Sequence, residues 1–168
     1  MLTVAHVLVG GTIGNEIRRA RYALPLAFLS HYALDTVPHW SNWAVFFPTV
    51  ANQYSAEVIG AVVDVTLAAG LILASTRGRA NRALILSSAV FAAAPDVDNL
   101  PIIGTWMRAS PATARIVAFH HNIQTNIAPS QWLLGAGPLA LIGALAWWSF
   151  RRSGRMNHGV TESTAEKG

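Results

Sequence analysis

At 168 residues the chain has room for one domain and hardly for two. Hydrophobic residues make up 52% of it and charged residues 12%, against about 25% charged in an ordinary soluble domain. The absence of cysteine excludes a disulfide framework and a thiolate metal site but leaves a His/carboxylate site open. The net charge of +4 comes with Arg clusters at 18–21, 77–82 and 151–155. Each cluster borders an apolar run, and no aromatic-basic stripe or nucleic-acid motif accompanies them. Membrane topology, and not nucleic-acid binding, is therefore the expected reason for the charge.

The predicted elements are all helical. Leu2 to Ile17 is apolar and Gly-rich, with Arg18, Arg19 and Arg21 after it and no basic segment before it. That order does not read as a signal peptide. Tyr22 to Val37 is a second apolar helix, stopped by Pro38. The stretch from Pro38 to Ser55, rich in Trp, Phe, Pro and Asn, reads as an interfacial loop. Val58 to Thr76 is a clear span with a single acidic residue, Asp64. Ala83 to Ala94 is shorter and stops at Pro95. Composition is mixed from Asn99 to Asn126, with a helix expected from Pro111 to about Gln124. Trp132 to Phe150 is the other clear span, closing on Trp147 and Trp148 before Arg151 and Arg152.

The expected fold is thus all-α: a polytopic membrane bundle of about five membrane helices plus one interfacial helix. Residues 1–155 form one embedded domain, and residues 156–168 form a polar tail expected to be disordered. Three of the five helices are short for a full crossing, so tilt or an extra turn is needed. With the N-terminus outside, alternating helices put all three Arg clusters on the cytoplasmic side. The expected location is the inner membrane, multi-pass, with the C-terminus cytoplasmic.

Ionisable groups in apolar helices are costly and mark function by default. All four Asp residues, Asp35, Asp64, Asp96 and Asp98, lie in or at the end of apolar runs, as do His6, His31 and His39. The sharpest pattern is His31-x-x-x-Asp35-x-x-x-His39, whose first two members share a helix face. Imidazole and carboxylate ligands suit Zn, Mn or Fe; a hydrogen-bonded pair tying helices together is the plainer alternative. Asp96-Val97-Asp98 can bridge cations or simply form a polar turn. Of His120 and His121, one helical step apart, His120 is the expected inward member, with Gln124 a turn away on the same face. His6 precedes Gly10, Gly11 and Gly14, which permit close helix packing. The alternating topology gathers these groups in one layer near the outer interface, and Asp64 reaches toward it. That convergence is the signature of a metal or acid-base site.

Two segments carry a resemblance. AHVLVGGTIG…LPLAFLSHYALDTVPHW together with PDVDN is similar to small bacterial membrane proteins of the inner-membrane metal-dependent hydrolase family. SHYALD also resembles the His-x-x-x-Asp metal helix of zinc-dependent phospholipase C. Position 99 is Asn where the hydrolase family often has His, and FHHNIQ matches its His-rich motif loosely. The resemblance implies a divalent ion, zinc first, with manganese or iron as alternatives. Candidate metal ligands are His6, His31, Asp35, His39, Asp96 and His120. Asp64 or Asp98 is the expected general base. Membrane lipid is the expected partner, and a lipid-like phosphoester or ester the expected substrate. The rival readings are a non-catalytic metal-binding or ion-transport protein, and a structural bundle with a buried His/Asp network.

Overall fold

A computed structural model describes residues 2–39, 53–127 and 131–165. Its helices are α1 (Thr3–Ile17), α2 (Ala20–Asp35), α3 (Gln53–Ser75), α4 (Arg82–Ala93), α5 (Pro101–Ala109), α6 (Pro111–Ile123) and α7 (Trp132–Ala165). A 3-10 segment, Ala94–Asn99, links α4 to α5. Among the described residues there is no strand, only a backbone bridge between His39 and Asn126. Residues 40–52 of the expected interfacial loop, Pro38 to Ser55, lie outside the described residues, and Gln53–Ser55 belong to α3 instead.

The all-helical class holds, but the expected number of membrane helices does not. Among the described residues, two helical stretches are long and apolar enough to cross a membrane, Val58–Ser75 and Leu133–Arg152. A third exists if α4 with its 3-10 segment and α5, bent by 74° from each other, make one broken span. The shortfall has a simple cause. Helices α1 and α2 have 15 and 16 residues, a rise of roughly 22–24 Å against a hydrocarbon core of about 30 Å. Arg18 ends α1 by turning left-handed (φ 52°), and its Nε donates to the Asn15 carbonyl, which the helix end leaves free. After α2 the Pro38 peptide disfavours another helical turn.

Helix α1 is the hub. It packs most extensively on α4, then on α2, α7 and α3. Glycine allows this: a Cβ on Gly10 would stand 2.5 Å from both the Ala92 Cβ and the Ser88 carbonyl oxygen of α4. The apolar core holds Val7 of α1, Ile72 of α3, Ile85 and Ala89 of α4, and Ala146 and Phe150 of α7. Near the Arg-rich end a polar knot fastens the same elements. Arg79 donates to the Ser75 carbonyl (2.7 Å), to Asn15 Oδ1 (3.3 Å) and to the Phe150 carbonyl, while Asn15 Nδ2 donates to Ser149 Oγ (3.0 Å).

The outside of the bundle is apolar. Val62 (60% exposed), Val90 (66%) and Leu141 (61%) face outward, and only 22% of each of the two clear spans is buried. A helix that is apolar all round needs an apolar surrounding, so the exterior is compatible with a membrane.

Candidate metal centre

Four elements meet at the other end of α1. His6 comes from the first turns of α1, His31 and Asp35 from the last turns of α2, Asp96 and Asp98 from the 3-10 segment, and His120 from the last turn of α6. The i,i+4 spacing stacks His31 and Asp35 on one face, so His31 Nε2 lies 3.1 Å from Asp35 Oδ2. His120 Nε2 lies 2.9 Å from that same oxygen and 2.9 Å from His31 Nε2. Two imidazole nitrogens and a carboxylate oxygen thus form a triangle with sides of 2.9, 2.9 and 3.1 Å.

The opposite nitrogens of both rings are already committed. His31 Nδ1 donates to the Ala92 carbonyl at 2.7 Å. Ala92 stands in the last turn of α4, where carbonyls lack intrahelical partners. His120 Nδ1 donates to Asp98 Oδ2 at 2.9 Å. Each bond takes the Nδ1 proton and leaves Nε2 as the lone-pair nitrogen. Gln124 Nε2, at 3.2 Å, approaches His120 Nε2 as a donor would. Such outer partners commonly fix the tautomer of a metal-binding histidine. Three lone pairs converging at about 3 Å repel one another unless a cation stands among them.

That cation is either a proton or a metal ion. Burial works against a charged His120 ring, but its hydrogen bonds to the Asp35 and Asp98 carboxylates outweigh burial and push its pKa up to about 9. The donor set fits a metal equally well. The triangle's edges are slightly shorter than the roughly 3.3 Å that separates ligands about 2.05 Å from a tetrahedral ion. A small outward shift would accommodate one.

The other predicted ligands surround this triangle. His6 Nε2 is 3.4 Å from Asp35 Oδ1, and its ring stacks on that of His31 with centroids 3.9 Å apart. Both His6 nitrogens are buried without a hydrogen-bond partner among the described residues. Asp96 Oδ1 is 3.7 Å from His31 Nε2 and 3.9 Å from His120 Nε2. Among the described residues, two sets can therefore hold a metal ion: His31, Asp35 and His120, and His6, His31 and Asp96. They share His31. The side chains of His6, His31 and Asp35 are fully buried, whereas that of Asp96 is 19% exposed.

His39, Asp64 and Asp98 stand apart from these sets. His39 pairs the chain after α2 with the chain after α6: its N–H donates to the Thr125 carbonyl and its carbonyl accepts from Ile127 N–H, each at 3.1 Å. Its Nδ1 donates to the Val37 carbonyl at 2.6 Å, and its buried Nε2 has no hydrogen-bond partner among the described residues. Asp64 accepts from the backbone N–H groups of Thr3 (2.6 Å) and Val4 (3.1 Å). It thereby caps α1 from α3, where Leu2 offers no side-chain cap. Asp98 orients His120 and also lies 3.6 Å from His121 Nε2.

Two participants escaped the sequence. The Ala92 carbonyl is backbone, which carries no residue-type signal. Tyr32 stands edge-on to both His31 and His120, with ring centroids 5.6 and 5.8 Å away. Its place one residue after His31 was the available signal.

Compared with known protein families, curated protein sequences and solved structures, the chain matches none of them.

Proposed function

We propose that the chain is a membrane-embedded metal-dependent hydrolase that cleaves a phosphoester or ester of a lipid-like substrate. One observation carries the metal part of this reading: the buried triangle of His31 Nε2, His120 Nε2 and Asp35 Oδ2, with both Nδ1 protons drawn away from it. The resemblance of the His31-x-x-x-Asp35 and Pro95-Asp96-Val97-Asp98 segments to the inner-membrane hydrolase family and to the zinc phospholipase helix supports the hydrolytic part.

His31, Asp35 and His120 would hold the ion, zinc being the best match to two imidazoles and a carboxylate. When bound, the ion supplies an acidified water and a Lewis acid. The chain's own residues do the rest. Asp98 keeps His120 in its ligand tautomer, and Ala92 does the same for His31. His6 packs on the His31 ring and seals that side from water. Asp96, the most exposed carboxylate of the group, is the side chain best suited to take a proton. Asp64 and Asp98, the bases expected from sequence, are committed to α1 and to His120. The Arg clusters support a multi-pass inner-membrane topology with this centre toward the outer interface and the C-terminus cytoplasmic. Lipid is then the first molecule the site meets.

A second reading has an observation of its own. His6, His31 and Asp35 are fully buried, and closed metal sites are more often structural than catalytic. One experiment separates the two. The chain is purified in mild detergent without chelator, and bound metals are measured by plasma mass spectrometry beside a His31→Ala/Asp35→Ala variant. Near-stoichiometric metal, lost in the folded variant, with turnover of phosphoester or phospholipid substrates, supports the hydrolase. Metal without turnover on any of them supports the structural site. Protein that stays metal-free after incubation with zinc, manganese and iron sinks both.

A further inference from the structure

Tyr32 has two sides. One faces the rings of His31 and His120, and the other lines an open groove of about 450 Å³ between α2 and α6. Leu29, Ile116 and Phe119 complete its apolar wall, with the Phe119 ring 5.7 Å from that of Tyr32. The groove's one charged lining residue is Arg115. Arg115 is exposed and makes no ion pair with any described carboxylate. A guanidinium is permanently charged, and its fork matches phosphate oxygens.

The groove continues along α2. A second open groove of about 550 Å³ shares Leu29 and runs past Phe28, Pro25 and Leu24 to Arg21. From Tyr32 back to Arg21 the lane follows 12 residues of one helix, a rise of roughly 16 Å. That is about half the thickness of a hydrocarbon core, the length available to one acyl chain. A single acyl chain fits such a lane by length and by its apolar wall, and a phosphate at its head complements Arg115.

We propose that this lane binds the acyl chain of a phosphate-bearing lipid, with Arg115 on the phosphate and the headgroup ester beside His120. The proposal names the substrate class of the hydrolase and rests on that reading, but its test needs no turnover. Purified protein in nonionic detergent with chelator is titrated with a monoacyl glycerophosphate, with the monoacylglycerol of the same chain, and with inorganic phosphate. Native mass spectrometry reads retention. The wild-type chain is expected to hold the acyl phosphate about tenfold more tightly than the neutral lipid, the scale of one charge-assisted hydrogen bond. Arg115→Gln should erase that preference and Arg115→Lys should keep most of it. Leu29→Trp, which fills the lane, should weaken both lipids, and Arg152→Gln on α7 should change neither. A preference that survives Arg115→Gln overturns the proposal. So does inorganic phosphate that displaces the lipid at equal concentration. A dimer in detergent that Leu29→Trp turns into monomer also overturns it, by giving the groove to a second copy. A chain that never takes metal yet shows Arg115-dependent retention would fell the hydrolase and leave the lipid lane standing. An active, metal-loaded enzyme indifferent to Arg115 would fell the lane alone.

Discussion

Asp98→Asn tests the logic of the centre with the smallest change of shape. Asp98 is buried, and its Oδ2 accepts the His120 Nδ1 proton at 2.9 Å. The Asn amide oxygen can accept the same proton, so the tautomer survives while the charge is lost. A hydrogen bond to a charged group contributes about 1.5–3 kcal/mol and a neutral one about 0.5–1.5. The difference of about 1–1.5 kcal/mol corresponds to roughly five- to tenfold weaker metal binding. Outer partners of metal-bound histidines typically account for 10- to 100-fold, so about tenfold is the expected loss. Competition against a chromophoric chelator in detergent measures it, with zinc as probe and the thermal melt as a check on folding. Wild-type affinity in a folded Asp98→Asn variant would refute the claim that Asp98 orients a metal-binding His120. A loss beyond about a thousandfold would refute it differently, by putting Asp98 in the ion's own coordination shell.

Other perturbations probe the frame around the centre. Gly10→Ala should cost about 1–3 kcal/mol by overpacking, because its Cβ meets Ala92 and Ser88 at 2.5 Å, whereas Gly70, with nothing within 4 Å, should tolerate the same change; melts in detergent compare them. The Gly10 variant should also lose metal, since it displaces the helix end whose Ala92 carbonyl holds His31. Asp64→Ala should cost about 0.5–2 kcal/mol as a lost cap and leave metal content unchanged; loss of metal at unchanged stability would move Asp64 into the centre. With its pKa raised from 6.5 to about 9, a protonated His120 stabilises the metal-free fold fully below pH 6.5, and this contribution fades as pH rises to about 9. The melting midpoint of metal-free protein should therefore fall across that interval. Metal affinity should rise across it as the competing proton leaves, and a metal-free midpoint that climbs instead would contradict a protonated His120.

Much of the centre was legible because it rests on spacing and on chain direction. Four-residue steps put His31 with Asp35, and Gln124 with His120, without any knowledge of the partner helices. Alternating helix directions brought the ends of distant segments into one layer, where His6, Asp35, Asp96 and His120 lie. The illegible parts depend on backbone or on competition for a side chain. Asp64 has the look of a catalytic carboxylate in an apolar span, but the uncapped N–H groups of α1 claim it, and no local pattern on α3 announces a partner 60 residues away. Helix α5 was missed because it has only nine residues, Pro101–Ala109, with Gly104 and Thr105 in the middle. The crossing count was overestimated because hydropathy reports apolarity, while crossing also needs length. Helix α1 draws its apolar surroundings largely from α2, α3, α4 and α7.

The burial of the triangle and the apolarity of the exterior belong to one argument. Burying a carboxylate beside two imidazoles is costly unless each polar atom finds a partner and a cation balances the charge. The Nδ1 atoms found partners in a helix-end carbonyl and in Asp98; the Nε2 atoms face each other and Asp35, with Gln124 beside that of His120. Packing alone would be served better by apolar residues of similar volume, which this chain has in abundance. Retaining three histidines and three aspartates where α1, α2, α6 and the 3-10 segment meet therefore argues for a bound cation rather than for helix adhesion. The less enclosed approaches to that cation are marked by Asp96 at the 3-10 segment and by Tyr32 on the α2–α6 face. Tyr32 borders the groove that Arg115 lines, so a substrate lying there would meet the centre from the lipid side.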